Sequence, residues 1–90
     1  MKFSVRWMPR AEQLLTQMWL SSRDREAIRE ACEKLEARLT ADPLNAGESR
    51  EGNYRIVFEE PLAVTFSVWP IDRLVKVVYV SRTHFRYGRS

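Results

Sequence analysis

Cysteine and histidine are almost absent from this chain of 90 residues, which has one of each. A single cysteine, Cys32, excludes an internal disulfide. Cys32 together with His84 is too small a set of ligands for a recognisable metal site. We therefore expect a protein that holds no metal and no cofactor.

Long apolar runs are missing as well. The longest runs, around Val64 and Val77, are far shorter than the roughly 20 residues that a membrane-spanning helix needs. The segment from Met1 to Trp7 has neither an apolar stretch of signal-peptide length nor a cleavage site of small residues. These absences predict a cytoplasmic protein without a membrane partner.

The composition is that of one ordinary globular domain. At 90 residues the chain is too short for two independent cores, so we expect a single domain over residues 1–90. Hydrophobic residues make up 44% and charged residues 30%, a balance that excludes a disordered chain. Cys32 lies in a segment with helical periodicity, which favours a small core residue over a nucleophile.

Carboxylate side chains stop after Asp72, although the net charge of the whole chain is only +3. Every charged side chain beyond that point is basic: Arg73, Lys76, Arg82, Arg86 and Arg89. A basic C-terminal third is the pattern expected of a protein that meets phosphate groups. Cationic surface that only provides solubility explains the same pattern equally well.

The N-terminal half predicts one strand and two helices. Phe3 to Trp7 alternates apolar and polar residues, as a half-buried strand does. Pro9 suits the first position of a helix, and an apolar stripe continues from there to about Leu20. Ser21 or Ser22 is expected to cap a second helix, which Asp42-Pro43 ends. Its apolar face consists of Ile28, Ala31, Cys32, Leu35 and Leu39.

The C-terminal half predicts a polar loop and three strands. Glycine and polar residues over 45–53 indicate the loop. Strands are expected over 54–58, 62–69 and 74–82, and their short connections require them to run antiparallel. The last strand is the most continuously apolar, so we expect it to be the most central. The result is an α+β fold of order βααβββ, with the helical hairpin packed on one face of an antiparallel sheet.

This order and several local motifs resemble the RelE/ParE superfamily of bacterial toxins. The resemblance extends from Phe3 to about Arg82. Two motifs belong to the helical half: an Arg-Ala-Glu-Gln-Leu run (10–14) and Asp-Pro at the end of the second helix (42–43). Three belong to the sheet half: a Gly-Glu-Ser-Arg loop (47–50), Arg55 in the next strand, and a final strand that ends in a basic residue (75–82).

The resemblance implies a toxin that is paired with a cognate antitoxin protein, and for RelE-like members it implies ribosome-dependent cleavage of mRNA. In that reaction the ribose 2′-hydroxyl attacks the adjacent phosphate without a metal ion, while cations neutralise the phosphate and other groups move protons. Carried over by position, the catalytic candidates are Arg55, Arg82, His84 and Tyr87. The candidates for RNA binding are Arg50, Lys76, Arg86 and Arg89.

Cleavage of mRNA is the function that we predict first from the resemblance, but the match to the nucleases is incomplete, so other functions stay open. Val57, Ala63 and Thr65 stand where those enzymes often have further cations. A ParE-like inhibitor of gyrase needs no such set, and a toxin fold that only binds an antitoxin needs none either. Arg55 has a purely structural alternative, an ion pair with Glu48 or Glu51. The tryptophans are expected in the core or in an antitoxin groove: Trp7, Trp19 and Trp69.

Overall fold

A computed structural model describes residues 2–83 of the chain. Two helices come first after a short strand, and the remaining strands follow in succession. The elements are β1 (Ser4–Trp7), α1 (Pro9–Ser21), α2 (Arg25–Ala41), a 3₁₀ turn (Pro43–Asn45), β2 (Glu48–Ser49), β3 (Tyr54–Glu59), β4 (Leu62–Trp69) and β5 (Leu74–Arg82). The predicted bounds of β4 and β5 are confirmed, and β3 is one residue longer than expected.

The two helices begin and end for local reasons. Pro9 occupies the first position of α1, as predicted. The carboxylate of Asp24 accepts a hydrogen bond from the Ala27 N–H at 3.0 Å and caps α2, so the prediction that Ser21 or Ser22 is the cap is wrong. Ser22 instead accepts from the N–H of Asp24 through its hydroxyl. Within residues 2–83 no helix is long and apolar enough to cross a membrane.

The strands form one five-stranded sheet in the order β1-β5-β4-β3-β2. β3 pairs with β4, and β4 with β5, in antiparallel orientation, as predicted. β1 pairs with β5 in parallel, with Ser4 opposite Leu74. The connection between these two strands runs through both helices and the other strands, so it is long enough for a parallel pair. The α+β architecture of a strand, a helical hairpin and a sheet is therefore confirmed, and its sheet is mixed.

β4 is the middle strand, and the expectation that β5 is the most central is wrong. β4 has partners on both sides from Leu62 to Ser67, whereas β1 covers only the first part of the outer edge of β5, from Leu74 to Val77. The long apolar run of β5 arises instead because α1 packs directly on it.

The two faces of the sheet have different surroundings. Side chains on the helix-covered face are buried beneath α1 and α2; those of the sheet are Val57, Leu62, Val64, Phe66, Val75, Val77 and Val80. Ala31, Leu35 and Leu39 of α2 complete this core, which confirms the predicted apolar face of that helix. Strand residues alternate between faces, so the intervening side chains form an open face. A register shift between Thr65 and Phe66 interrupts the pairing of β4 with β5.

The predicted loop over 45–53 contains more structure than expected. After the 3₁₀ turn, Gly47 has a φ of +66° and the chain then pairs as β2 along β3. A Cβ atom on Gly47 would lie 2.0 Å from the backbone oxygen of Ile56. The loop therefore approaches β3 so closely that no side chain fits at this position.

We predict that Gly47→Ala destabilises the protein more than Gly52→Ala does. Gly52 also has a positive φ, of +67°, but nothing lies within 4 Å of its added Cβ. The left-handed backbone alone costs about 1–2 kcal/mol, and displacing the β3 backbone at Gly47 adds about 1–3 kcal/mol. Urea denaturation of both variants measures the difference, and equal losses would contradict the close approach.

Candidate functional site

Arg55 is bound to the preceding loop by one hydrogen bond from each of its three guanidinium nitrogens. Its Nε donates to the carbonyl oxygen of Ala46 at 3.0 Å, and its Nη2 donates to the carbonyl oxygen of Gly47 at 3.2 Å. Its Nη1 donates to the hydroxyl of Ser49 at 3.0 Å. The expected alternative of an ion pair with Glu48 or Glu51 is therefore not the arrangement that forms. Arg55 contacts backbone and hydroxyl oxygens instead.

Arg55 also lies on the helix-covered side of the sheet. It is opposite Phe66 on β4 and shares its face with Val57, which is 1% exposed. The side chain avoids the core by turning outward at the edge of the sheet, where the loop carbonyls receive it. The position that the resemblance assigns to a catalytic cation thus holds a side chain that fixes a loop.

Arg82, the last residue of β5, lies exposed at the other end of the sheet. It lines a polar cavity of about 470 Å³ with Ser22, Asp24, Ala27, Glu60, Pro61 and Thr83. The N–H of Thr83 donates to the carbonyl oxygen of Pro61 at 2.9 Å and closes this end of the sheet. Among residues 2–83, this cavity has the guanidinium group of Arg82 and the carboxylates of Asp24 and Glu60 in one lining.

Arg55 and Arg82 do not converge on one point. Arg55 is opposite Phe66, and Arg82 is opposite Leu62, which lies four residues away on the same strand. A rise of about 3.3 Å per residue and a spacing of about 4.8 Å between strands place their Cα atoms roughly 16 Å apart. With the Arg55 side chain bound to its loop, the two guanidinium groups do not hold a single phosphate between them.

The two described candidates for RNA binding are in separate places. Lys76 lies on the open face opposite Ser67, and its ammonium group is 4.6 Å from the ring centroid of Trp69. Arg50 follows β2 and forms an exposed ion pair with Glu48 at 3.2 Å. Exposed pairs of this kind contribute little to stability.

The open face carries a group of aromatic side chains that the sequence analysis did not single out as a set. Tyr54, Phe58, Trp69 and Tyr79 are each between 41% and 47% exposed. The small residues Ala63 and Ser67 lie on the same face and are both 5% exposed. The period-two alternation of β3 and β4 was the signal that could have predicted this face.

Trp7 and Trp19 lie on the helical side of the molecule. Trp7 packs partly buried against the core, and its indole N–H donates to Glu36 at 2.9 Å. Trp19 is 37% exposed, and the Arg25 guanidinium lies 5.8 Å from its ring centroid. Trp7 agrees with the expectation of a core residue, whereas Trp69, 43% exposed on the open face, does not lie in the core. That Trp19 belongs to an antitoxin groove stays a prediction.

The remaining site candidates lie outside the described residues. They are His84, Arg86, Tyr87 and Arg89. The predicted groups for proton transfer are among them, so the geometry of residues 2–83 bears only on the cations. Within that same range, no group of three or more histidine, cysteine, aspartate or glutamate side chains is placed to hold a metal ion.

Cys32 lines an apolar groove on the outer side of the helical hairpin. The groove has a volume of about 320 Å³ and is lined by Leu15, Thr16, Trp19, Ile28, Arg29 and Cys32. Burial raises the pKa of the Cys32 thiol, and the nearby carboxylate of Glu36 raises it further. A raised pKa lowers the thiolate fraction at neutral pH, which is the opposite of what a nucleophile needs.

We predict that the Cys32 thiol of the native protein reacts slowly with a disulfide reagent such as dithiobisnitrobenzoate at pH 8. The rate in the native protein should be at least about fivefold below that of the same chain in urea, because less thiolate is present. Absorbance at the wavelength of the released thiolate gives both rates. A native rate equal to the denatured one would contradict a structural thiol.

We predict that Arg55→Lys lowers the free energy of unfolding by roughly 1–3 kcal/mol, since an ammonium group cannot reach the oxygens of Ala46, Gly47 and Ser49 together. The matched control is Arg50→Lys, whose exposed ion pair leads us to expect a change within about 0.5 kcal/mol. Urea denaturation measures both. Unchanged stability in Arg55→Lys would return Arg55 to the catalytic candidates.

The fold is similar to several solved toxin structures. A chain of the toxin–antitoxin complex RelBE2 from Mycobacterium tuberculosis superposes with a TM-score of 0.74 at 16% identity, over 91% of this chain and 92% of that one. A chain of the chromosomal ParDE system from P. aeruginosa superposes with a TM-score of 0.72 at 17% identity, over 92% and 98%. The isolated E. coli RelE toxin gives 0.67 at 17% identity, over 94% and 88%.

Comparison by sequence gives no such likeness, since no family model and no curated protein matches the chain. The structural likenesses, at 16–17% identity, show the fold. The chain therefore has the RelE/ParE toxin fold that the sequence motifs predicted.

Proposed function

We propose that this chain is the toxin of a bacterial type II toxin–antitoxin pair. The fold supports the proposal, because solved structures that share it over most of both chains are toxins and toxin–antitoxin complexes. Fold alone does not fix function. The proposal therefore also relies on surfaces that a monomeric enzyme does not need.

The partner in this proposal is a cognate antitoxin. The groove along the helical hairpin supports it, since the groove surface is mostly apolar and Trp19, which lines it, is 37% exposed. An apolar groove between helices suits an amphipathic helix of a partner protein. Covering such a surface also stabilises a small domain by mass action.

Within the toxin proposal, we favour inhibition by binding a target protein, as ParE-like members inhibit gyrase, over cleavage of mRNA. The observation that supports this choice is where the predicted catalytic cations lie and what they bind. Arg55 is committed to three loop oxygens, and it lies about four residues along the sheet from Arg82. Phosphoryl cleavage needs cations that converge on the reacting phosphate.

Ribosome-dependent cleavage of mRNA is the second candidate. The exposed position of Arg82 at a strand end supports it, together with the basic and aromatic residues that follow in the sequence. In that mechanism Arg82 contacts the phosphate and His84 or Tyr87 transfers the proton. Arg55 takes no part in this version.

The test is induced expression of the chain in bacteria, with growth and primer extension on a translated reporter mRNA as readouts. We expect growth arrest with no new cleavage inside codons, and we expect Arg82→Ala to arrest growth as the parent does. Co-expression of the protein encoded by a neighbouring antitoxin gene should relieve the arrest. Supercoiling of a plasmid by gyrase in extracts of the arrested cells tests the target directly.

The alternative outcomes distinguish three functions: binding of a target protein, cleavage of mRNA, and binding of an antitoxin alone. New cleavage inside codons that disappears in Arg82→Ala would overturn binding and establish the nuclease. The absence of any arrest would leave a toxin fold that only engages an antitoxin. Arg55→Lys serves as the stability control. If this variant loses toxicity only because it unfolds, the amount of soluble protein in the cells should fall as well.

A further inference from the structure

A cavity lies at the end of the sheet opposite to Arg82. It has a volume of about 410 Å³ and lies between the loop before β3, the first residues of β3 and the turn after β4. The lining residues that matter most are Leu44, Asn53, Tyr54, Arg55, Trp69 and Pro70. None of these residues lines the cavity around Arg82.

Arg55 gives this cavity a positive charge and unused hydrogen-bond donors. A guanidinium group carries five N–H donors, and three of the donors of Arg55 are bonded to the loop. Five less three leaves two, one on each terminal nitrogen, without a partner within residues 2–83. Of residues 2–83, Arg55 is the one charged side chain that lines the cavity, and none of the lining residues in that range is a carboxylate.

Trp69 forms a rigid wall of the same cavity. Its indole N–H donates to the hydroxyl of Ser67 at 3.0 Å, and the Lys76 ammonium lies 4.6 Å from its ring centroid. These two contacts fix the orientation of a ring that is 43% exposed. Lys76 adds a second positive charge near the cavity. The wall is therefore ready to receive an apolar group before any ligand arrives.

The cavity and the adjoining turn expose apolar side chains. Leu44 is 50% exposed and Tyr54 47% exposed, and Ile71, which follows Pro70 in the turn, is 97% exposed. A small acid would fill the cavity and leave Ile71 in water. An occupant that covers this surface must extend past the cavity, as a polypeptide segment does.

We propose that this cavity is a docking site for a segment of a partner protein that places a carboxylate side chain on Arg55 and an adjacent bulky apolar side chain against Leu44, Tyr54 and Trp69. The carboxylate takes the two N–H groups that the loop leaves unused, while Arg55 keeps its three bonds to the loop. The proposal depends on this cavity and not on the toxin function. An enzyme and an inhibitor with this fold would carry the site equally.

The test is NMR titration of the intact chain with an acetylated and amidated pentapeptide of glycine, glutamate, leucine, phenylalanine and glycine, in that order. The resonance of the Trp69 indole N–H, assigned with Trp69→Phe, is the readout. We expect saturable shifts with a dissociation constant on the order of 1 mM, because a short flexible peptide makes few contacts and loses freedom. Replacing glutamate with glutamine in the peptide should weaken binding about tenfold, since the charge-assisted bonds are lost.

Matched variants locate the site. Leu44→Ala and Tyr54→Ala should each weaken binding of the glutamate peptide about threefold or more, because both remove apolar contact area. Leu20→Ala is the control, since Leu20 is 66% exposed on α1 and does not line the cavity. Equal binding of the glutamate and glutamine peptides, equal binding by all three variants, or no shift of the indole resonance would each overturn the proposal.

Discussion

The burial of one face of the sheet beneath the helical hairpin is the constraint on which the rest of the molecule depends. Val64, Phe66, Val75 and Val77 are all fully buried there against α2 and α1. Each carries apolar area whose removal from water stabilises the fold by roughly 1.5–3 kcal/mol per side chain. Because two helices cover only one face, the other face and both ends of the sheet remain available. The cavities around Arg82 and Arg55 lie at those two ends, whereas the apolar groove lies on the helical hairpin itself.

The loop before β3 shows how a charged residue can support structure and binding together. Gly47 lets the loop approach the Ile56 carbonyl, and Arg55 binds the loop carbonyls that this approach brings near. Backbone oxygens in such a loop need partners, and a guanidinium group supplies several at once. Arg55 also lines a cavity that has Trp69 as one wall. The hydrogen bonds that hold Arg55 on the loop keep it away from a phosphate at Arg82. They also give a positive charge to the cavity at the opposite end of the sheet.

Local signals in the sequence determined most of the secondary structure. The alternation of residues 62–69, the helical apolar stripe of α2 and the Asp42-Pro43 stop each depend on residues a few positions apart, and all three are confirmed. The N-cap of α2 was misplaced because Ser22 and Asp24 are both good caps and nothing in the sequence ranks them. The small strand β2 escaped prediction since two residues carry no periodic pattern.

By itself, then, the sequence determined the α+β class, the order of the elements other than β2 and the chemical types available at the sites, because periodicity and capping act over a few residues. Only the tertiary structure decided that β1 runs parallel to β5 and that β4 is central. It alone decided that Arg55 serves a loop while Arg82 lies at the far end of the sheet. The reason is that strand pairing and side-chain partners join residues distant in the chain, and their choice depends on how the whole core packs.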